Sequence, residues 1–212
     1  MYDLRDLTIR SISVSEMDNN VYLLTAKTSG AQVLIDAADD AAAILALLAE
    51  GARDTSSTAK PTLLITTHSH WDHVRALAEI VEATGMKTAA GTADVEAIAV
   101  PTDVPLDHGD VGNFEGFDLE AISLRGHTPG STALLYRDPA GPPHLFTGDS
   151  LFPGGVGNTG GDPARFDSLY TDVVERVFDV LPDETVVHPG HGKSTTLGAE
   201  RPALNDWRSR GW

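Results

Sequence analysis

Four side chains able to bind a metal ion lie close together in the first third of the chain. They are His68, His70, Asp72 and His73, and they follow the apolar run Leu63-Leu64-Ile65. That run is typical of a buried strand, and side chains two apart on an extended segment share a face. We therefore expect His68, His70 and Asp72 to point the same way. Imidazole and carboxylate are ligands that zinc accepts, and the chain has no Cys to compete with them. A polar turn that caps a helix is the alternative, but it suits one histidine better than this cluster.

Three later segments carry one further potential ligand each, in order along the chain. They are Gly126-His127-Thr128-Pro129-Gly130-Ser131, Thr147-Gly148-Asp149-Ser150-Leu151-Phe152 and His188-Pro189-Gly190-His191-Gly192. Together with the His-x-His-x-Asp-His cluster, these segments resemble the signature of the metallo-β-lactamase superfamily. The four ordered matches extend the resemblance over nearly the whole chain.

The resemblance implies a fold and a domain organisation. Members of the superfamily have an α+β fold, the αββα four-layer sandwich of two mixed β-sheets, with the metal site at the shared edge of the sheets. Residues 1–212 would form a single domain of this kind, with no separate C-terminal helical domain. The order of strands and helices along the chain independently predicts two mixed sheets packed face to face with helices outside.

The resemblance also implies which side chains bind metal. One ion would be held by His68, His70 and His127 and the other by Asp72, His73 and His191, with Asp149 bridging the two. The cofactors would be two divalent metal ions, with zinc favoured by the ligand types and iron or manganese as alternatives. Asp36 ends a predicted strand, and the resemblance places it beside the ligands, where it would orient one of them. A plain helix N-cap is an equally good interpretation of Asp36.

A pair of metal ions predicts hydrolysis of an acyl bond without a protein nucleophile. Two ions about 3.5–4 Å apart can share a hydroxide whose pKa falls toward about 7. The first ion would polarise the substrate carbonyl, the hydroxide would attack, and the second ion or Asp72 would assist the leaving group. Asp72 and Asp149 are therefore the expected catalytic carboxylates. A leaving thiolate is soft and suits zinc, so the expected substrates are thioesters.

Within the superfamily, the chain is most similar to small glyoxalase II-like hydrolases of the hydroxyacylglutathione hydrolase family. Three departures from that family argue against glutathione as the thiol carrier. We expect no counterpart of the helical extension that supplies basic carrier contacts in full-length members. Lys193 stands where a glutathione-contacting Tyr is expected, and Asn158 replaces a basic residue. Lys193 and Asn158 are the expected substrate-binding residues.

Three other functions compete with a thioesterase. A persulfide dioxygenase with one iron keeps much of the same motif set and is separated by metal content and oxygen uptake. A lactonase or β-lactamase is a second hydrolytic alternative, although β-lactamases of this fold are normally exported. A non-catalytic binding module is the third, and it would be indicated by a lost ligand, whereas the sequence contains all seven ligand positions.

Composition limits the partners of the protein. The 212 residues contain 15 Lys and Arg and 31 Asp and Glu, which gives a formal net charge of −16. Such a charge repels nucleic acid and anionic lipid, so the expected partner is a small molecule, with no nucleic acid and no membrane. The first ten residues alternate charged and apolar types without a long apolar stretch, so we expect no secretory signal and a cytoplasmic enzyme. The oligomeric state is left open.

The elements that must position these residues can be read from periodicity. Leu7 to Val14, Val21 to Thr25 and Gln32 to Ile35 predict an antiparallel meander, and a helix should follow to Gly51. Further strands are expected at Phe117 to Leu124, Ala133 to Tyr136, Leu145 to Thr147 and Thr185 to His188. All of these except Ala133 to Tyr136 should deliver a ligand at their ends. Asp162-Pro163 predicts a helix start, with a buried stripe at Phe166, Leu169, Val173 and Val177.

Four polar residues outside the ligand set also carry predictions. His188 should be packed in the core, and His108 should be structural in a turn. His144 lies beside two prolines, which predicts an exposed turn. Arg75 should be a solvated helix charge, with a place at the rim of the site as the alternative.

Overall fold

The computed structural model describes residues 1–211, and seven strands form its first sheet. They are β1 (Tyr2–Asp3), β2 (Leu7–Val14), β3 (Asn19–Ala26), β4 (Ala31–Ile35), β5 (Lys60–Thr66), β6 (Lys87–Gly91) and β7 (Val104–Leu106). They lie in sequence order across the sheet. The first four pair antiparallel, and the pairs from β4 to β7 are parallel. The sheet is therefore mixed.

The second half of the chain supplies another mixed sheet. Its strands are β8 (Val111–Asn113), β9 (Asp118–Ser123), β10 (Thr132–Tyr136), β11 (His144–Gly148), β12 (Leu151–Phe152), β13 (Gly155–Val156), β14 (Val186–Pro189) and β15 (Thr195–Thr196). Six of them form a sheet in the order β15-β14-β11-β10-β9-β8, while β12 and β13 form a separate two-stranded ribbon. Within this six-stranded sheet, β11 and β14 form the parallel pair, and all other pairs are antiparallel.

Five α-helices and several short helical turns connect the strands. The helices are α1 (Ala41–Gly51), α2 (Leu77–Thr84), α3 (Pro163–Val173), α4 (Leu197–Glu200) and α5 (Leu204–Arg210). Turns of 3₁₀ helix cover Trp71–His73, Thr92–Ala97 and Arg201–Ala203, and a π-helical turn, Val174–Phe178, continues α3. None of the helices between residues 1 and 211 is long and apolar enough to cross a bilayer.

Three apolar clusters show how these layers pack. The central cluster joins the facing sides of the two sheets, with Leu24 and Ile65 from the first and Leu134 and Phe146 from the second. A second cluster packs α1 and α2 on the outer face of the first sheet, and a third packs α3 and the C-terminal helices on the outer face of the second. The predicted αββα sandwich is confirmed.

Most predicted elements lie within a residue or two of the observed ones. The N-cap prediction at Asp162 is confirmed, because its carboxylate accepts hydrogen bonds from the backbone of Ala164 and Arg165. Two local predictions were wrong. Asp72 does not continue an extended segment after His70, because it lies in the 3₁₀ turn Trp71–His73. His144 is not exposed but 1% accessible, because it opens β11 and pairs in parallel with Val186.

Candidate metal centre

The ends of four strands bring the predicted ligands to one place. β5 ends just before His68, β9 before His127, β11 before Asp149 and β14 before His191. A sharp turn follows each strand, so the side chains leave the sheets at their common edge. The 3₁₀ turn after His70 adds Asp72 and His73.

Three overlapping groups of these side chains lie close enough to hold a metal ion. They are His68 with His70 and His127, His68 with His73 and Asp149, and Asp72 with His73 and His191. In each group the potential ligand atoms lie within 4.8 Å of one another. The first and third groups match the two sets that the sequence predicts, and the second connects them through Asp149.

Asp149 lies between the two sets. Its Oδ2 is 3.6 Å from His127 Nε2 and 3.4 Å from His191 Nε2, and its Oδ1 is 3.4 Å from His73 Nε2. In the third group, His191 Nε2 is 3.3 Å from Asp72 Oδ2 and 3.2 Å from His73 Nε2. Ring nitrogens and carboxylate oxygens therefore converge on a small volume.

Hydrogen bonds fix which ring nitrogen faces that volume. His73 Nδ1 donates to Asp36 Oδ2 at 2.9 Å, and His127 Nδ1 donates to the carbonyl oxygen of Asn158 at 2.7 Å. His191 Nδ1 donates to the carbonyl oxygen of Met17 at 2.8 Å. A neutral imidazole that donates through Nδ1 presents the lone pair of Nε2. Three rings are thus oriented with Nε2 facing this volume, the arrangement found in histidine metal ligands.

The buried polar atoms of the centre fit bound cations. His68 Nε2, His127 Nε2 and Asp149 Oδ1 are buried without a hydrogen-bond partner among the described residues. Unpaired buried acceptors are costly, and the Nε2 atoms of His73 and His191 lie only 3.2 Å apart. A dication would satisfy all of these acceptors at once, so the donor set fits divalent metal ions.

The pKa values of the centre follow from burial and from its carboxylates. Burial lowers the pKa of His68 well below its usual value and also lowers that of His127, so both rings stay neutral. Burial opposes protonation of His73 too, but the Asp36 and Asp149 carboxylates raise its pKa to about 10. Burial would raise the pKa of Asp149, yet His191 and His73 hold it well below its usual range. Without metal, His73 therefore carries a proton on Nε2 as well, and a bound cation would take the place of that proton.

Asp36 is held beside the ligands rather than at a helix start. Its Oδ1 accepts from the backbone of Thr67 at 2.8 Å, and its Oδ2 accepts from the Thr67 hydroxyl at 2.9 Å as well as from His73. The Thr67 hydroxyl in turn lies 3.0 Å from His68 Nδ1. The N-cap of α1 is Asp40. The N-cap interpretation of Asp36 was therefore wrong.

Two residues that sequence reasoning missed support the centre. Asn19 is fully buried, and its amide donates to Asp72 Oδ2 at 2.9 Å and to the Asp72 carbonyl at 3.2 Å. Asp94, 1% accessible, accepts from the backbone of Ser69 at 2.8 Å, the hydroxyl of Thr128 at 2.6 Å and the backbone of Gly130 at 2.7 Å. It therefore connects the loop of His68 and His70 to the loop of His127. Neither residue has a spacing that points to this role.

The turn that presents His191 leaves no room for a side chain. A Cβ on Gly190 would lie 2.2 Å from Asp149 Oδ1 and 2.8 Å from His73 Cε1. Glycine is required there because the backbone passes directly against the carboxylate.

The two predicted substrate contacts are both exposed. The Asn158 carbonyl holds His127, and its side-chain oxygen accepts from the backbone of Gly160 at 2.8 Å. Lys193 lies two residues after His191 on the loop that leads to β15.

The comparison with known families agrees with this geometry. A family model described as the metallo-beta-lactamase superfamily matches residues 14–191, a range that includes all seven clustered side chains. The chain belongs to the metallo-β-lactamase superfamily. A superfamily relative named hydroxyacylglutathione hydrolase, from Anaeromyxobacter dehalogenans (strain 2CP-C), is 35% identical over 181 residues, or 82% of this chain and 61% of that protein. The chain thus spans about three fifths of that relative's length.

Two solved structures have folds similar to that of this superfamily member. The crystal structure of BLEG-1 B3 metallo-beta-lactamase superposes with a TM-score of 0.78 at 25% identity, covering 92% of this chain and 97% of that one. The structure of TTHA1623 in a di-iron-bound form superposes with a TM-score of 0.72 at 31% identity, covering 91% and 96% of the two chains.

Proposed function

We propose that this superfamily member is a metal-dependent hydrolase with two divalent ions, and specifically a thioesterase of the glyoxalase II-like type. The observation that carries the proposal is the position of Asp149 between two sets of inward-facing side chains. Each set contains enough ligands for one ion, and one carboxylate can serve both. The relative named hydroxyacylglutathione hydrolase supports a thioester as the substrate class.

The proposal assigns the ligands as two sets with a shared carboxylate. His68, His70 and His127 would hold the first ion, Asp72, His73 and His191 the second, and Asp149 both. Zinc suits these nitrogen and oxygen ligands, and the di-iron form of TTHA1623 supports iron as the alternative.

Bound ions would supply Lewis acidity and a water acidified to near-neutral pKa. The protein's own side chains then orient the reaction. Asp72, fixed by Asn19, keeps a carboxylate beside the leaving group and can receive or return a proton there. Asp36 fixes the ring of His73. Lys193 and Asn158 are exposed beyond the ligands and would contact the distal part of the substrate.

Metal content tests the proposal directly. Protein purified without added metal should contain close to two transition-metal ions per chain by elemental analysis. His191→Ala should lose mainly one ion, because His191 belongs to one set only. One iron per fully loaded chain, with oxygen uptake on a persulfide, would instead establish a dioxygenase.

Activity on a substrate panel tests the reaction class. Thioesters, lactones, a β-lactam and a persulfide should be offered to the same metal-analysed preparation. We expect the highest kcat/KM with a thioester and no oxygen uptake. A preference for lactones or β-lactams would replace the thioesterase with another hydrolase of this fold.

A further inference from the structure

An exposed tryptophan lies within the ligand motif itself. Trp71 stands between His70 and Asp72, and 62% of its surface is accessible. Such exposure is unusual for a large aromatic side chain beside buried neighbours. Met17, another exposed apolar residue, is 44% accessible. Its backbone carbonyl holds the ring of His191, so both apolar residues adjoin the same half of the metal centre.

Arg75 contacts both Trp71 and Met17, so the three side chains form one continuous surface. Its guanidinium lies 4.1 Å from the centroid of the Trp71 ring, and it donates to Asp39 Oδ2 at 2.7 Å. A second guanidinium nitrogen lies 3.8 Å from Met17 Sδ. We call Trp71, Arg75 and Met17 the Trp71 platform. Because the salt bridge and the cation–π contact fix Arg75, the platform is a preorganised surface.

The charge around the platform selects against anions. Arg75 is paired with Asp39, so its charge is largely compensated. Glu16 and Asp18 flank Met17 in the chain, and both are exposed. With Asp39, three carboxylates thus belong to the platform residues' ion pair and chain neighbours, against one guanidinium. An uncharged apolar group can cover the Trp71 ring without that repulsion.

We propose that the Trp71 platform is the subsite for an uncharged apolar group on the leaving thiol. This inference rests on the proposed thioesterase function. The platform adjoins Asp72 and His191, which belong to the half of the centre assigned to the leaving group. With its carbonyl near His127 and its sulfur near Asp72, a substrate would have its thiol substituent next to Trp71, which precedes Asp72 in the chain. Phe152, whose ring centroid is 6.4 Å from that of His191, borders the same half.

Two thioesters with one acyl group isolate this subsite. S-benzyl and S-methyl thioacetate differ only in the substituent that would cover Trp71. The wild type should prefer the benzyl ester by about tenfold or more in kcat/KM, and Trp71→Ala should lose about tenfold of that preference, a change of about 1.4 kcal/mol. The loss should lie in KM, because the platform binds ground state and transition state alike. Trp71→Phe should keep most of the preference.

The control for a general effect is Val180→Ala, which shortens a residue that is 62% exposed and lies after the π-helical turn, outside the metal centre. It should leave the preference unchanged. All variants should contain the same amount of metal as the wild type. An unchanged preference in Trp71→Ala, or an equal loss of kcat on both esters, overturns the inference.

Binding measured without turnover separates this inference from the proposed function. The ketone 4-phenyl-2-butanone replaces the sulfur of S-benzyl thioacetate with carbon and cannot be hydrolysed as a thioester. It should quench the fluorescence of the wild type more than that of Trp71→Phe, and the difference reports on Trp71 because Trp207 and Trp212 are present in both proteins. If no thioester is hydrolysed but this quenching is present, the proposed function fails and the apolar subsite remains. If thioesters are hydrolysed without Trp71-dependent quenching, the subsite fails alone.

Discussion

Asp149 places its carboxylate oxygens within 3.6 Å of ring nitrogens from both sets of side chains. Asp149→Asn removes one negative charge and one bridging oxygen while the size of the side chain is kept. Loss of a single electrostatic stabiliser elsewhere costs about 10²–10³-fold in rate, so kcat should fall by at least that factor. Lys193→Ala, an exposed control on the same face, should change kcat far less. Near-normal turnover in Asp149→Asn would show that the two sets do not share this carboxylate.

Asp94 and Asp36 allow the two halves of the centre to be weakened separately. Asp94 ties together the loops of the first set, whereas Asp36 orients His73 of the second. Changes in such supporting residues cost about 10–100-fold in metal affinity. In a His191→Ala background, where the first set is the complete one, Asp94→Asn should weaken the remaining ion by about tenfold in a chelator competition. Asp36→Asn should weaken that ion less, because Asp36 reaches His68 only through the Thr67 hydroxyl, and equal effects would contradict the assignment.

The residues that bind metal could be predicted, and the residues that hold them could not. Histidines and aspartates at His-x-His-x-Asp-His spacing carry a chemical signal in their types. Asn19 and Asp94 carry none, because a buried amide at a strand start and a carboxylate in a short 3₁₀ turn look like ordinary surface residues. Asn19 contacts a residue 53 positions away in sequence, and Asp94 contacts residues 25 to 36 positions away. Only the fold brings those partners together.

At the scale of elements, strands with an apolar run were predictable and edge strands were not. The runs before His68 and Asp149 are buried, and periodicity identifies them. In contrast, β7, β8 and β15 have two or three residues that lack full burial, so their sequences give no alternation to detect. The helix after His73 begins only at Leu77, because the 3₁₀ turn intervenes.

The parallel strands β11 and β14 bury two histidines, His144 and His188, in contact with each other. No sequence pattern predicts that contact. His144 Nδ1 lies 2.9 Å from His188 Nε2, and the two rings stack with an interplanar angle of 5°. The prediction that His188 is packed in the core is confirmed, since it is 1% accessible. Burial lowers the pKa of His188 to about 3 and also lowers that of His144. Both rings are therefore neutral in the folded protein at neutral pH.

This pair predicts acid sensitivity with a defined sign. The unfolded chain binds protons on these rings below pH about 6.5, whereas folded His188 does not bind one until pH about 3, and burial lowers the pKa of folded His144 as well. Stability is therefore full above pH 6.5 and falls as the pH drops toward 3. Between pH 6.5 and 5, the unfolding free energy of the wild type should fall by about 1 kcal/mol per pH unit more than that of His188→Gln, and the difference should approach about 1.4 kcal/mol per unit below pH 5. Urea unfolding of both proteins in the same chelator-containing buffer measures this difference, and parallel pH profiles would contradict it.

The net charge of the whole protein produces an electrostatic field that acts on charged substrates. Its formal net charge is −16, and charges of one sign raise or lower the local concentration of ionic substrates. A glutathione thioester carries two carboxylates and one ammonium group, so its approach is opposed. At low salt the Debye length is about 30 Å and at physiological salt about 8 Å. The kcat/KM for lactoylglutathione should therefore rise with salt, while that for a neutral thioester stays constant.

Local contacts lead to the same expectation for glutathione. A site that selects this carrier needs fixed cationic or hydrogen-bonding partners far from the carbonyl, and such remote binding is what raises the rate at the reacting centre. Here Asn158 uses its side-chain oxygen within its own turn, and Lys193 is exposed without the fixed geometry of a buried contact. Each missing charge-assisted contact weakens the transition state by about 1.5–3 kcal/mol, or about one to two powers of ten. In a panel of thioesters matched in the acyl group, glutathione should show no advantage in kcat/KM. A preference for it above about a hundredfold would mean that Asn158 and Lys193 form the carrier site after all.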